Sequence, residues 1–537
     1  MNKQKLTMFE AFSGIGAQRR GLEKTNLFDF YVVGTSDIDK DAIVEYAAIH
    51  HGLTTEMIEA YKDYPSREEM AQYLLNRKVG YDFQKDVQYD WMKLVESKDS
   101  KDELRKNYLA NILTKNYGDI SSLKELPYAD VLTFSFPCQS ISIAGRLEGI
   151  KEGETRSGLV YEIVRLIETA KDNGTLPKYL LLENVANLVG KRFINDFENL
   201  NSIFDDLGYN VYWKVINAKH CGIPQNRQRC FAWYIRKDID TGKFTFPLPF
   251  DNGLRLKDVL EKNVDEKYYV NTEKAHNLIK QLSDKGQLKG QDNDSQTILV
   301  KNQATEYTRT IDTANTLMAR DWKGYGNQDM VAIVESKIDD SKRLGGLWDG
   351  ETRHQAGSVW DRNGMSPTLD TAQGGGRMPH VVESIQKLNK NIEEEKQVIG
   401  IRQATKKGFI ECELPGCADL SYPSSTTRRG RVQDNGQTSP TITAAETGIH
   451  YIESIYRIRK LTPRECFSLM GFEFEDWDKC VAIGASNTAG YKAAGNSIVT
   501  NCISLLFEHL YKAQYDESYI CTDEKMQSDT QEECPNC

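Results

Sequence analysis

The chain predicts an α/β fold built on a mixed, mainly parallel sheet, joined by a second domain of mostly β structure. Three observations lead there. An opening strand, LTMFEAF, runs straight into a glycine turn and a helix. Short, wholly apolar runs then recur between helix-favouring stretches, the pattern of strands buried on both faces. Between Phe250 and Tyr456 that rhythm stops, and Gly, Asn, Asp, Ser and Thr become frequent. At 537 residues the chain exceeds what one core holds and is expected to divide.

The elements follow in order. LTMFEAFSGIGAQRRGLEKT reads as strand, turn through Gly14 and Gly16, and helix; FDFYVVGTSDID is a second strand ended by Asp37. This is the front of a nucleotide-type βαβ unit, in which glycines let the backbone approach a ligand and the carboxylate accepts hydrogen bonds from ribose hydroxyls. Because Phe12-Ser13-Gly14-Ile15-Gly16 lacks the full GxGxxG form, a plain glycine turn is an equal alternative at this point. From Thr54 to about Lys115 the sequence is charged and helix-favouring, as in SREEMAQYLLNRK, and reads as a solvated helical insertion on the surface. Strands resume at Tyr117–Ile120 and ADVLTFSF, followed by a helix from Gly158 to Ala170 and strands at Tyr179–Val185 and CFAWYIRK.

Chemistry gathers just past these strands. Cys138 lies behind Pro137, which cannot continue a central strand, so its thiol is expected at the carboxyl edge, where parallel sheets collect ligands. The bland alternative is an inert, buried cysteine. Glu183 closes an apolar strand at the same edge, where a carboxylate costs free energy unless paired or used; capping the next turn is its alternative. Arg227 and Arg229, at i and i+2 of an extended segment, present two fixed donors to one side, with surface salt bridging as the alternative.

Charge and cysteine usage bound the rest. A formal net charge of −10 argues against nucleic acid at first sight, because phosphate neutralisation needs lysine and arginine. Distribution matters more: Arg428, Arg429 and Arg431 cluster after Lys406 and Lys407, so a local basic surface is compatible with an acidic chain. The 11 scattered cysteines suggest no disulfide framework and suit a reducing compartment. Cys534 and Cys537 lack a second ligand pair, having only Cys521 nearby, so a polar tail and no metal are expected. No apolar run is long enough for a membrane span, and the N-terminus enters its first strand without room for a leader, which points to a cytoplasmic protein.

Taken together, the motifs resemble a family. PCQ (Pro137–Gln139), ENV (Glu183–Val185), QNRQR (Gln225–Arg229), RKLTPRECFSLMGF (Arg459–Phe472) and AGNSIV (Ala494–Val499) follow Phe12–Gly16 in the order seen in S-adenosylmethionine-dependent DNA cytosine-5 methyltransferases of the prokaryotic and phage type. The resemblance implies a Rossmann-like methyltransferase domain and a target-recognition domain. It assigns the nucleophile to Cys138, with Glu183 on the cytosine ring, Arg229 near the target base and Arg227 supporting the same loop. A cation there also favours thiolate. For the cofactor, it places Phe12, Gly14, Gly16 and Pro137 along the methionine and adenosine, Asp37 on the ribose, Asp119 at the adenine amine, Leu159 beside the adenine and Asn496 near the methionine end. Ile38 departs from the tryptophan frequent at its position, which would replace ring stacking with apolar packing. Gln139, Ser140 and Arg146, in the glycine-containing loop up to Arg156, suit a segment that closes over DNA, and Arg428, Arg429 and Arg431 are candidate base readers, with phosphate or solvent contact as the favoured alternative for each.

The middle region carries a repeat: Ala314–Ala319, Ser366–Ala372 and Ser439–Ala445 share a Thr-Leu or Thr-Ile core, and each precedes a glycine turn and a strand ending near glutamate. Such units suit a recognition module serving a long target or more than one. The expected layout is a catalytic domain over 1–245, recognition over 246–455, a returning segment over 456–515 and a tail over 516–537. A monomer acting on double-stranded DNA is expected, with a cognate restriction endonuclease as a candidate partner. An RNA cytosine-5 methyltransferase and a non-catalytic base-flipping DNA-binding protein are the alternatives.

Overall fold

The computed structural model describes residues 3–82, 85–97, 102–138, 141, 149–150, 156–268 and 461–519, with short stretches between 299 and 460. Gln139, Ser140, Arg146, Arg428, Arg429, Arg431 and the cysteines of the tail lie outside the described residues, as do all three repeat cores, of whose segments only Ser366 is described. Two compact units divide the chain.

The first unit comprises Met1–Val259, Met365–Arg377 and Thr462–Cys537. It begins with β1 (Gln4–Ala11), α1 (Ala17–Thr25), β2 (Phe28–Ser36) and α2 (Lys40–His51), followed by α3 (Thr55–Ala60), α4 (Arg67–Asn76), the small hairpin β3 (Tyr81–Asp82) and β4 (Val87–Gln88), and α5 (Glu103–Leu113). Then come β5 (Val131–Phe134), α6 (Val160–Asp172), β6 (Tyr179–Val185), α7 (Ile194–Asp206), β7 (Tyr209–Asn217) and β8 (Gln228–Arg236). Helices α8 (Pro463–Leu469), α9 (Phe474–Ala482), α10 (Asn487–Asn496) and α11 (Thr500–Tyr515) close it.

One sheet organises the unit, in the order β2-β1-β5-β6-β8-β7. Strands β2, β1, β5 and β6 are parallel, while β8 runs antiparallel to both of its neighbours. The chain leaves β1 first toward β2 and later returns on the other side as β5, so a topological switch point lies between β1 and β5, where α/β sheets hold ligands. Side chains alternate across the pleat. Phe9, Leu132, Phe134, Leu180 and Leu182 bury against Ile163 and Ile167 of α6 and Phe197 and Phe204 of α7. Toward α11, Phe507 meets Phe28 and Trp233 edge-on, with ring centroids 6.1 and 5.2 Å apart. Each such aromatic contributes roughly 1.5–3 kcal/mol by burial, which is why wholly apolar strands were needed.

Two expectations are corrected. Tyr117–Ile120 is not a strand. Asn116, just before it, makes an isolated bridge to Thr35, and a one-turn helix follows at Ile120–Ser122, because the Asp119 side chain accepts from the backbone of Ser121 and turns the chain. The insertion is also more than a solvated appendage. Trp91, Met70, Leu74, Leu104 and Leu109 form a second core with Ile43, Val44 and Ala47 of α2, and the Trp91 indole donates to the Val79 carbonyl at 2.7 Å. Apolar positions diluted among charges concealed that face.

The second unit comprises Leu260–Gly364 and Met378–Leu461. Among its described residues the regular structure is β apart from one helical turn at Glu266–Tyr268, and includes a sheet in which Ser358–Trp360 pairs with His380–Ser384 and the latter with Tyr456–Lys460. Hairpins pair Gln397–Arg402 with Phe409–Leu414 and Gly416–Asp419 with Ile449–Ile452.

Candidate active site

The thiol sits where the strand ends. β5 stops at Phe134, and Cys138 follows at the carboxyl edge, half-buried against the sheet's core cluster together with Phe12 and Leu159. Its loop is pinned from two sides: the Ser157 hydroxyl donates to the Pro137 carbonyl at 2.7 Å, and Asn184 Nδ2 to the Phe136 carbonyl at 3.0 Å. Asn187 Nδ2 donates to the Ile141 carbonyl at 2.5 Å.

Glu183 comes from the next strand. It is buried near the end of β6, opposite Phe231 of β8, with Arg229 two residues further along the same ladder. Arg229 Nε lies 3.2 Å from Glu183 Oε1, and the Ser135 hydroxyl donates to Oε2. Both carboxylate oxygens are therefore engaged, as a buried charge requires. Arg227 is buried beside them but turned toward the C-terminal helices: its Nη2 donates to the carbonyls of Gly495 at 3.0 Å and Ser497 at 2.7 Å. Burial, with Arg229 adding to it, pushes the Arg227 guanidinium down to about 9, so it stays charged at neutral pH. The two arginines thus divide their work, one toward Glu183 and one toward the loop after α10.

Opposing influences act on the Cys138 thiol. Burial pushes the Cys138 thiol above its ordinary range; Arg229 and Arg227 pull it down and Glu183 pushes it up, but burial dominates.

The other half of the edge is built on the glycine turn. Phe12, Gly14 and Gly16 have φ of 55°, 51° and 77°. A Cβ at Gly16 would fall 2.4 Å from His50 Nε2, whereas one at Gly14 would meet nothing within 4 Å, so the turn opens onto free space at Gly14. Asp37, just past β2, accepts from the backbone N–H of Gly14 and of Asp39, both at 2.8 Å. Burial, then the neighbouring Asp39, raises its pKa to about 6. Asn116 clamps the main chain of Asp37 in both directions, at 2.9 Å each, and also accepts from Gly118 N–H. Asp119 is buried one residue on, and Ile38 lies half-buried beside Asp37. Asn496 ends α10, exposed, next to the Gly495 that Arg227 holds.

Several participants had no signal strong enough in the sequence. Ser135 is a polar residue inside FSFPCQ, three positions before the thiol. Lys492 of α10 forms an ion pair with Asp39 at 2.5 Å. Ser366, from the middle of the chain, pairs its backbone with Pro224 and Asn226 at 2.8 and 2.7 Å, flanking the QNRQR segment. Glu10, wholly buried on β1, accepts from the Tyr46 hydroxyl and from the Arg19 N–H behind the glycine turn.

The carboxylates, apolar flanks and open glycine together fit an adenosine: Asp37 and Asp119 supply acceptors for hydroxyl and amine donors, and Ile38, Leu159 and Phe12 supply apolar surface. A family model described as "C-5 cytosine-specific DNA methylase" matches residues 83–512. A type II methyltransferase of Lactococcus lactis subsp. cremoris is 40% identical over 271 residues, covering 49% of this chain and 70% of that protein. An orphan methyltransferase of Spiroplasma monobiae is 38% identical over 283 residues, covering 51% and 70%. At 27% identity, an orphan methyltransferase of Bacillus phage rho11s aligns over 574 residues, 96% of this chain and 99% of its own.

Proposed function

Because this chain belongs to the C-5 cytosine-specific DNA methylase family, we propose that it transfers a methyl group from S-adenosylmethionine to C5 of a cytosine flipped out of a specific double-stranded DNA sequence, with Cys138 as covalent nucleophile. One observation carries the assignment: a half-buried thiol at the end of β5 stands beside a carboxylate of β6 that is ion-paired to an arginine of β8.

Cytosine C5 is too poor a nucleophile until something adds at C6. The Cys138 thiol gives up its proton to solvent and its sulfur bonds to C6, while the C5–C6 π electrons move to C5. Glu183 accepts from the exocyclic amine with one oxygen and, after taking up a proton, donates it to ring N3 with the other, drawing electron density in the sense that makes C6 electrophilic. Arg229 holds Glu183 in place and, with Arg227, stabilises the sulfur as it becomes anionic. When bound, S-adenosylmethionine supplies an electrophilic methyl group for C5. Removal of the C5 proton by a base then restores the C5–C6 double bond and breaks the S–C6 bond. Phe12, Gly14, Asp37, Ile38, Asp119 and Leu159 would hold the cofactor at the β1–β2 end, with Pro137 and Asn496 nearer its methionine end. Extruding the base costs a few kcal/mol, to be recovered through DNA contacts.

The second unit is assigned to target recognition, supported by its β structure and its place between the matched motifs. A monomer acting in the cytoplasm suits a thiol nucleophile and 11 cysteines. The relatives include both type II and orphan enzymes, so a companion endonuclease is a question for the neighbouring genes.

Bisulfite sequencing of DNA from cells expressing wild type or Cys138→Ala tests the reading. Site-specific 5-methylcytosine with the wild type alone is expected. Methylation by the alanine variant would remove Cys138 from its role, and unmarked DNA in both cultures would count against the DNA substrate.

A further inference from the structure

The insertion between α2 and β5 reaches the proposed cofactor site. The turn after α4 is pressed against both residues that flank the adenine position. Gly80 N–H donates to the Ile38 carbonyl at 2.7 Å, and the Arg77 carbonyl accepts from Asp119 N–H at 3.0 Å. A Cβ at Gly118 would fall 2.2 Å from that Arg77 oxygen, so the contact depends on glycine. Within this turn Lys78 adopts a left-handed conformation, φ 52°, unusual for a residue with a side chain. Its ammonium lies 2.6 Å from Asp119 Oδ2. The lysine side chain is 45% exposed and the aspartate 5%, so the pair joins a solvent-facing cation to a buried carboxylate.

The hydrogen bonds of Asp119 are unevenly distributed. Oδ2 accepts from Lys78 and, at 2.7 Å, from the Ser121 hydroxyl; Oδ1 accepts from Ser121 N–H at 3.1 Å. A carboxylate has about four acceptor positions, which leaves Oδ1 able to take one more donor.

We propose that Lys78 is a cofactor-positioning residue, supplied by the insertion, that fixes the Asp119 carboxylate so that its remaining acceptor position receives the adenine amine. The inference rests on the cofactor reading above. It extends that reading by making the insertion a part of cofactor selection: the ammonium occupies one side of Asp119, keeps it an acceptor only, and favours a ring bearing an amine over one bearing an oxo group.

Calorimetric titration of the full-length protein with S-adenosylhomocysteine and with S-inosylhomocysteine, whose ring has oxygen in place of the amine, tests this. Lys78→Met is expected to weaken the adenosyl ligand about tenfold, the scale of one charge-assisted hydrogen bond, and to leave the inosyl ligand within a factor of about two. Lys78→Arg should restore most of the loss, which a merely misfolded turn would not allow. Lys62→Met, which removes an exposed lysine of the same insertion, should change neither ligand. In methylation assays the Met variant should raise the KM for S-adenosylmethionine while kcat moves by less than about twofold. Equal weakening of both ligands would reduce Lys78 to a structural part of the turn, and unchanged affinity for both would remove it altogether. If the wild type bound neither ligand, the cofactor reading itself would fail and this inference with it.

Discussion

At the β5–β6–β8 end of the sheet, Glu183 faces a guanidinium and a serine hydroxyl; at the β1–β2 end, Asp37 faces two backbone amides and a second carboxylate, Asp39. Both acids line one edge of one sheet, yet the first belongs to a compensated pair and the second carries an unrelieved cost. A paired charge leaves its partner stranded when it is removed, so changes at the first end should be severe. A carboxylate held by amides, with its pKa raised to about 6, is instead arranged to gain when further donors arrive.

The largest effects are therefore expected at the pair. Glu183→Gln and Arg229→Met should each lower turnover by roughly 10²–10³-fold, the range for losing a positioned proton-transfer or charge-stabilising group. Their effects on the thiol should have opposite signs. Glu183 raises the Cys138 pKa and Arg229 lowers it, so the Gln variant should alkylate with iodoacetamide at lower pH than wild type and the Met variant only at higher pH. Alkylation profiles, with Cys138→Ala as blank, measure this. Shifts of the same sign in both variants would mean that the two side chains do not act as a pair on the thiol.

A second break falls behind the glycine turn, where burial raises Glu10 from 4.5 to about 7. An acid whose pKa is higher folded than unfolded contributes fully below the unfolded value and loses that contribution as pH rises through the folded one. Wild-type stability should thus fall between about pH 4.5 and pH 7 by something on the order of 3 kcal/mol from this group. Glu10→Gln should remove that part of the slope, so urea unfolding should show the variant gaining on wild type as pH rises. Parallel stability curves would mean that Tyr46 and Arg19 compensate the buried charge more fully than the raised pKa implies.

The two ends also differ in how far sequence reveals them. The positions of Cys138, Glu183 and Arg229 are legible because each lies at or just beyond one terminus of an apolar strand, and a strand fixes which edge its terminus occupies. The parallel sheet was legible for the same reason. Ser135 and Lys492 were not, since a serine within a strand and a lysine on a helix gain meaning only from what the fold sets opposite them. Asp119 was assigned by resemblance, but its segment was misread as a strand, because Tyr-Gly-Asp-Ile looks extended until the aspartate side chain is seen to turn the backbone at Ser121. Lys78 was invisible: a charged residue in a charged insertion, forty-one positions from its partner.

The smallest of the three effects sharpens the contrast most. Asp37→Asn should weaken S-adenosylhomocysteine by about tenfold at pH 7.5, the scale of one hydrogen bond to a charged group. The pH dependence carries more information. Ribose hydroxyls prefer the ionised carboxylate, so wild-type affinity should rise from pH 5 and level off above about 6, and the Asn variant should lack that rise. Bound ligand should in turn draw the Asp37 pKa down, so that binding below pH 6 releases protons, detectable as a dependence of the binding enthalpy on the buffer's ionisation heat. A wild-type affinity flat across this range would show that the two backbone amides already satisfy Asp37 and that no hydroxyl reaches it. The β1–β2 end would then resemble the paired end, and the ribose would need another acceptor.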